Sequence, residues 1–149
     1  MDSDAAWQMV SDFALPATVI VKHANPCGAA TSGSDIATAY RKAMETDPVS
    51  AFGGTVAMNR QVGKRAAEEL AKIFLEVIIA PGFDEEARAV LSAKKNLRLL
   101  EIPSTGTRPA GYDFRRVVGG LLVQDRDIGD FDIRKARIVT KRPHTEEEY

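Results

Sequence analysis

Cysteine is all but missing from this sequence: Cys27 stands alone among 149 residues. No internal disulfide can form, and no multi-cysteine zinc site can be built. A reducing compartment is compatible with that usage. Charge of one sign is also missing. Lys plus Arg number 20 and Asp plus Glu number 21, a net charge of −1, so no general polyanion-binding surface is implied and no nucleic acid is expected as a partner. No apolar run approaches the roughly 20 residues that span a bilayer. The first residues, Met1-Asp2-Ser3-Asp4, lack the basic start and apolar stretch of a signal peptide. A cytoplasmic protein without membrane contact is expected. Internal repeats and low-complexity tracts are absent too. What is present is an ordinary globular composition, 44% hydrophobic and 28% charged, long enough for one domain or part of a larger one.

Helical and strand periods alternate along the chain. Ala6, Met9, Val10 and Phe13 share one helical face, with Asp2 and Ser3 both candidate caps. After Pro16, Ala17 to Val21 is a short β-rich run. His23 to Gly33 is punctuated by Pro26, Gly28 and Gly33 and reads as a loop. Ser34 is a candidate N-cap for a helix with Ile36, Ala39, Tyr40 and Ala43 inward. Gly53-Gly54 opens a strand at Thr55 to Met58, with Phe52 a candidate core residue in the loop before it. A helix from Lys64 to Phe74 follows. Val77 to Ala80 is apolar throughout, as suits a strand covered on both faces. Asp84 to Ala93 is helical, with Ala87, Val90 and Leu91 inward, and Leu97 to Ile102 is a further strand. This order predicts an α/β fold built from βαβ units. Ser104 to Gly111 reads as an exposed loop, and Phe114 to Gln124 and Arg137 to Thr140 as β segments. Thr145 with Glu146, Glu147 and Glu148 resembles a helix start. One turn of helix is not stable alone, so the chain is expected to be an excised piece, truncated at both ends.

The most informative stretch is Val21-Lys22-His23-Ala24-Asn25-Pro26-Cys27-Gly28. A buried-type strand delivers Lys22 and His23 to its C-terminal end, the edge where open α/β sheets place ligands. Histidine exchanges protons near neutrality, and a lysine cation stabilises an oxyanion or assists a leaving amine. The bland alternative is a strand end followed by a solvated loop. Asn25 suits an Asx-type bond that orients the loop and is also a candidate substrate contact. Cys27 reads as a small packed residue.

Lys22 to Gly28 resembles the Lys-His-x-Asn-Pro-Cys-Gly segment of AICAR formyltransferases, domains of the bifunctional purine enzymes that also carry IMP cyclohydrolase. The likeness continues through Asp47 to Gly54, Glu76 to Pro81, Lys94 to Arg98 and Gly119 to Gln124, five blocks in order. It implies a cytidine deaminase-like three-layer αβα sandwich with a mixed sheet. It implies that residues 1–149 are the N-terminal part of the formyltransferase domain, which moves a formyl group from 10-formyltetrahydrofolate to the 5-amine of aminoimidazole carboxamide ribotide (AICAR). His23 would be the proton shuttle, and Lys22 would stabilise the developing negative charge or help the folate nitrogen leave. Gly53 would lie near the substrate ring, Val49 toward the folate, and Glu76 would accept hydrogen bonds from the substrate. No metal is implied. The family's site is assembled from both halves of the domain and across a homodimer, so this piece alone is expected to be inactive, and cyclohydrolase activity belongs to a separate domain.

Two rivals fare worse on residue arithmetic. Zinc deaminases resemble His-x-Glu plus Pro-Cys-x-x-Cys. Here Asn25 stands where glutamate is needed, and Ala30 stands three residues after Cys27. A phosphate-binding loop fails because Gly53-Gly54 precedes a strand rather than a helix. A non-catalytic structural fragment remains the third reading.

Overall fold

β-Branched residues dominate Ala17–Lys22, and in a computed structural model they form strand β1, one place in from a sheet edge. The structure describes residues 1–103, 110–129 and 132–146. The readings at Ser104 to Pro109 and at Glu147 and Glu148 lie outside the described residues. Two compact units are present, Met1–Arg108 and Pro109–Tyr149.

The first unit contains helix α1 (Asp2–Val10), β1, strand β2 (Asn25–Thr31), helix α2 (Ile36–Thr46) and strand β3 (Thr55–Met58). Helix α3 (Lys64–Leu70), strand β4 (Val77–Ala80), helix α4 (Glu85–Leu91) and strand β5 (Arg98–Glu101) complete it. The sheet order is β2-β1-β3-β4-β5. β1 runs antiparallel to both neighbours, whereas β3, β4 and β5 are parallel. The sheet is therefore mixed, and βαβ crossovers link only its parallel half.

Side chains alternate across a strand, and that alternation divides the core. Val19 and Val21 of β1 join Ala57, Ile79 and the Ala6 and Val10 face of α1. Ile20, Val56 and Ile78 point the other way, into a cluster with Tyr40 of α2, Leu70 of α3 and Leu91 of α4. Helices thus cover both faces, which is why β1, β3 and β4 carry almost unbroken apolar runs.

Several local expectations change. His23 to Gly33 is not a loop: Asn25–Thr31 is an edge strand paired with β1. Proline is tolerated there because an edge strand leaves some N–H groups without a ladder role. The pairing slips between Ile20 and Val21, so Cys27 forms a bulge. The cap of α2 is Asp35, whose carboxylate accepts from the Thr38 N–H at 3.0 Å; Ser34 instead donates to that carboxylate. Neither Asp2 nor Ser3 caps α1; Met1 occupies the N-cap position, without a side-chain cap bond. Phe52 is not core but 58% exposed.

The second unit is an antiparallel hairpin, strands β6 (Tyr112–Val117) and β7 (Gly120–Asp125), with a short 3₁₀ turn at Ile133–Lys135. The segment from Arg137 to Thr140 forms no strand.

Candidate functional site

The start of β1 is fixed by one buried amide. Asn59 at the end of β3 accepts from the Ala17 N–H at 2.8 Å and donates to the Phe13 and Leu15 carbonyls, each at 2.8 Å. Every polar atom of its side chain is used, so the register that ends at Lys22 is anchored at its other end. Nothing in the sequence around Met58-Asn59-Arg60 signalled that role, because its partners lie more than 40 residues away.

At the far end, Lys22 is the last residue of β1 and pairs with Asn25. Only His23 and Ala24 connect the strands. Both have positive φ, 56° and 60°, the backbone of a type I′ hairpin turn. An L side chain is disfavoured there by roughly 1–2 kcal/mol per residue. The turn is held from two sides. The Asp2 carboxylate accepts from the His23 N–H at 2.9 Å and from the Ala24 N–H at 3.0 Å. The Asn25 side-chain amide donates to the His23 carbonyl at 2.9 Å; it orients the turn by reaching back two residues rather than through the forward Asx-type bond expected of it. The rest of His23 is exposed to solvent.

Because β1 opposes β3, β4 and β5, its C-terminal end lies at their N-terminal edge. Val21 faces Thr55, and Thr55 faces Val77. The usual rule for parallel sheets therefore does not locate this site. What gathers here is the β1–β2 turn, the loop before β3 and the residues before β4.

The loop from Asp47 to Gly54 is a chain of tight turns. The Ser50 N–H donates to the Asp47 carboxylate at 2.9 Å, and the Gly54 N–H to the Ala51 carbonyl at 3.0 Å. The Ser50 hydroxyl and N–H hold the Asp47 carboxyl below its ordinary range. Ala51 is buried beneath the loop, while Val49 projects into solvent at 84% exposure. Lys22 ties this loop to β1: its ammonium donates to the Phe52 carbonyl at 2.6 Å. Gly53 follows with φ +70°, and a Cβ there would lie 3.9 Å from the Lys22 Nζ and 3.6 Å from the Phe74 ring. The Gly53 N–H donates to the Phe74 carbonyl at 2.8 Å. Phe52 and Phe74 pack ring to ring at 5.5 Å. Phe74 also lines an open depression of about 250 Å³ with Leu70, Leu75, Lys94 and Asn96.

Glu76 enters through its backbone. Its N–H donates to the Gly54 carbonyl at 3.1 Å, its carbonyl accepts from Arg98, and its side chain is exposed. The structure thus brings Lys22 and Gly53 together, joins Glu76 to that loop by one backbone hydrogen bond, and leaves His23 and Val49 open to solvent. Cys27 packs against the core, and its thiol donates to the Ile20 carbonyl at 3.6 Å. Burial pushes that thiol up in pKa, away from thiolate chemistry. Among the described residues no three His, Cys, Asp or Glu side chains group to hold a metal ion.

Known proteins fit this arrangement at two levels. By structure, the chain is similar to two forms of Acinetobacter baumannii RibD, with TM-scores of 0.53 and 0.51 at 16% identity. These matches cover 67% and 65% of the chain and 35% of each RibD chain, a likeness of fold alone. By sequence, it is 49% identical to the bifunctional purine biosynthesis protein PurH of Magnetococcus marinus over 149 residues. That match covers 99% of this chain but only 28% of the relative's length. The family model described as the AICARFT/IMPCHase bienzyme matches residues 1–149, and the chain belongs to that family.

Proposed function

We propose that this chain is the N-terminal part of a formyltransferase domain, acting in purine biosynthesis within a longer, homodimeric, cytoplasmic protein. Its reaction is transfer of the formyl group of 10-formyltetrahydrofolate to the 5-amine of AICAR. The formyl carbon gains a bond to the amine nitrogen and loses its bond to the folate N10. The amine gives up one proton, and N10 takes one as it leaves. The observation that carries the reading is the turn itself. A solvent-facing imidazole follows Lys22 directly, and its peptide groups are fixed on both sides.

His23 takes the proton from the amine, whose lone pair is delocalised into the ring and is a poor nucleophile until that proton departs. Lys22 has three donors, one of which holds the Phe52 carbonyl; the others serve the charge that develops on the formyl oxygen. Gly53, with no side chain between loop and ligand, lets the substrate ring approach. Val49 faces the folate, Glu76 accepts from the substrate, and Asn25 adds a substrate contact to its turn bond. The sheet with helices on both faces is the three-layer deaminase-like sandwich of such a domain, and the co-substrate chemistry needs no metal. The cyclohydrolase step resides in a separate domain. The piece alone is inactive, because positioning groups supplied by other segments provide much of the rate.

The test is His23→Ala in the full-length protein. Formyl transfer should fall at least about 100-fold, the scale of general acid–base catalysis, with KM for AICAR little changed. Turnover at the wild-type rate would remove His23 from the reaction.

A second reading has one observation in its favour. The bond from Lys22 to the Phe52 carbonyl is a structural duty, consistent with a lysine that anchors the loop without touching substrate. Lys22→Met would then lower stability and kcat together, rather than kcat alone.

A further inference from the structure

We propose that Asp2 is a positioning residue for His23, an inference that rests on the formyl-transfer reading above. Asp2 is separated from the turn by 21 and 22 positions in sequence, yet its two carboxylate oxygens are divided between consecutive N–H groups. Oδ2 accepts from His23 at 2.9 Å and Oδ1 from Ala24 at 3.0 Å. Such bonds to an ionised acceptor are among the stronger hydrogen bonds available to a backbone.

The need for them follows from the turn. Two-residue hairpin turns with positive φ at both positions favour Asn-Gly and similar pairs. Here they carry His, which enters that region more often than most non-glycine residues but still uncommonly, and Ala, which does so rarely. A surface turn under no other demand would relax into a longer or looser loop. This one is pinned at three consecutive backbone groups: the His23 N–H and the Ala24 N–H by Asp2, and the His23 carbonyl by Asn25. The imidazole keeps only its own side-chain torsions.

Asp2 is itself well placed to hold them. It opens α1, whose Ala6 and Val10 are fully buried against Val19 and Val21 of β1. The clamp therefore refers the turn to a helix packed on the face of the sheet. Strain held in two consecutive residues, His23 and Ala24, and offset by surrounding bonds is the pattern expected of a functional side chain held in readiness.

The experiment compares Asp2→Ala, Asp2→Asn and His23→Ala in the full-length protein, with kcat and KM for both substrates. Backbone hydrogen exchange of the segment spanning residues 22–25 is measured alongside. Asp2→Ala should lower kcat on the order of 100-fold, the effect of displacing a reacting group by about 1 Å. KM should change less than about threefold, because the groups that bind substrate stay in place. Exchange at His23 and Ala24 should accelerate. Asp2→Asn keeps one acceptor oxygen and the side-chain shape, so it should be intermediate in both measurements. It also carries the test if Asp2→Ala does not fold. Both Asp2 variants at wild-type kcat beside an inactive His23→Ala would overturn the positioning role and leave the functional reading standing. An active His23→Ala would instead remove the functional reading, and this inference with it.

Discussion

Gly28 shows how one missing methyl group sets the geometry around the turn. A Cβ at residue 28 would lie 2.2 Å from the Ala43 carbonyl oxygen. The obstacle is backbone in the middle of α2, not the tip of a flexible side chain, so it cannot swing aside. α2 therefore packs on β2 as closely as it does because residue 28 is glycine. Its place in the Lys22 to Gly28 segment is explained by packing, without any contact to ligand. Gly28→Ala should destabilise the protein by about 3 kcal/mol, the upper range for forced overpacking, as read from urea unfolding. A change within about 0.5 kcal/mol, the level of an ordinary surface substitution, would show that α2 retreats freely. The contrast with Gly53 is instructive. There the positive φ, not a collision, is what glycine provides.

At the scale of elements, α2 carries its own acid sensitivity. The Thr38 backbone N–H, then the Thr38 and Ser34 hydroxyls, lower the pKa of the Asp35 cap, with Arg65 adding to the effect. A carboxyl whose pKa is lower when folded contributes stability above its unfolded value of 3.8 and loses it as pH falls through the lower folded value. Asp35→Asn keeps a good N-cap but removes the titration. The urea midpoint of the variant should therefore fall less steeply than the wild type's below about pH 4. Parallel acid limbs would show that the cap charge is not coupled to folding. α2 itself was legible because Ile36, Ala39, Tyr40 and Ala43 recur at helical spacing and all are buried. β1, β3 and β4 were legible as apolar runs bounded by glycine and proline. β2 was not, since Asn25, Pro26 and Gly28 are the vocabulary of loops, and only an edge position with a bulge makes them a strand. The antiparallel entry of β1 was equally hidden, because nothing in a strand's own residues states which way its neighbour runs. Of the candidate site, Lys22 and His23 stood out as neighbours at a strand end, but adjacency alone favours a solvated loop there, and only the family resemblance of Lys22 to Gly28 singles them out. The Asp2 clamp could not be read from the sequence, because local pattern reading links neighbours three or four residues apart and not those 21 apart.

Over the whole molecule, the two units differ in what they bury. In the first unit, the residues of β3 are all buried, and β1 is buried from Ala17 to Val21. In the second, every residue of β7 and all but Asp113 of β6 are exposed, among them Tyr112, Phe114, Leu121, Leu122 and Val123. A two-stranded hairpin is marginal in water unless a third element covers it. Local opening free energies range from near zero to the full unfolding free energy according to such burial. In the 149-residue chain, amides of β6 and β7 should therefore exchange at least about 100-fold faster than those of β1 and β3. Hydrogen exchange with mass spectrometry measures both at once. The same peptides in the full-length protein provide the deciding comparison, since this chain spans 28% of the length of its PurH relative. If other segments cover the apolar hairpin, its exchange should slow there while that of β1 and β3 changes little. Equal exchange in both lengths would mean that the hairpin's apolar side chains stay in water, and that their solvation is balanced by the ladder alone.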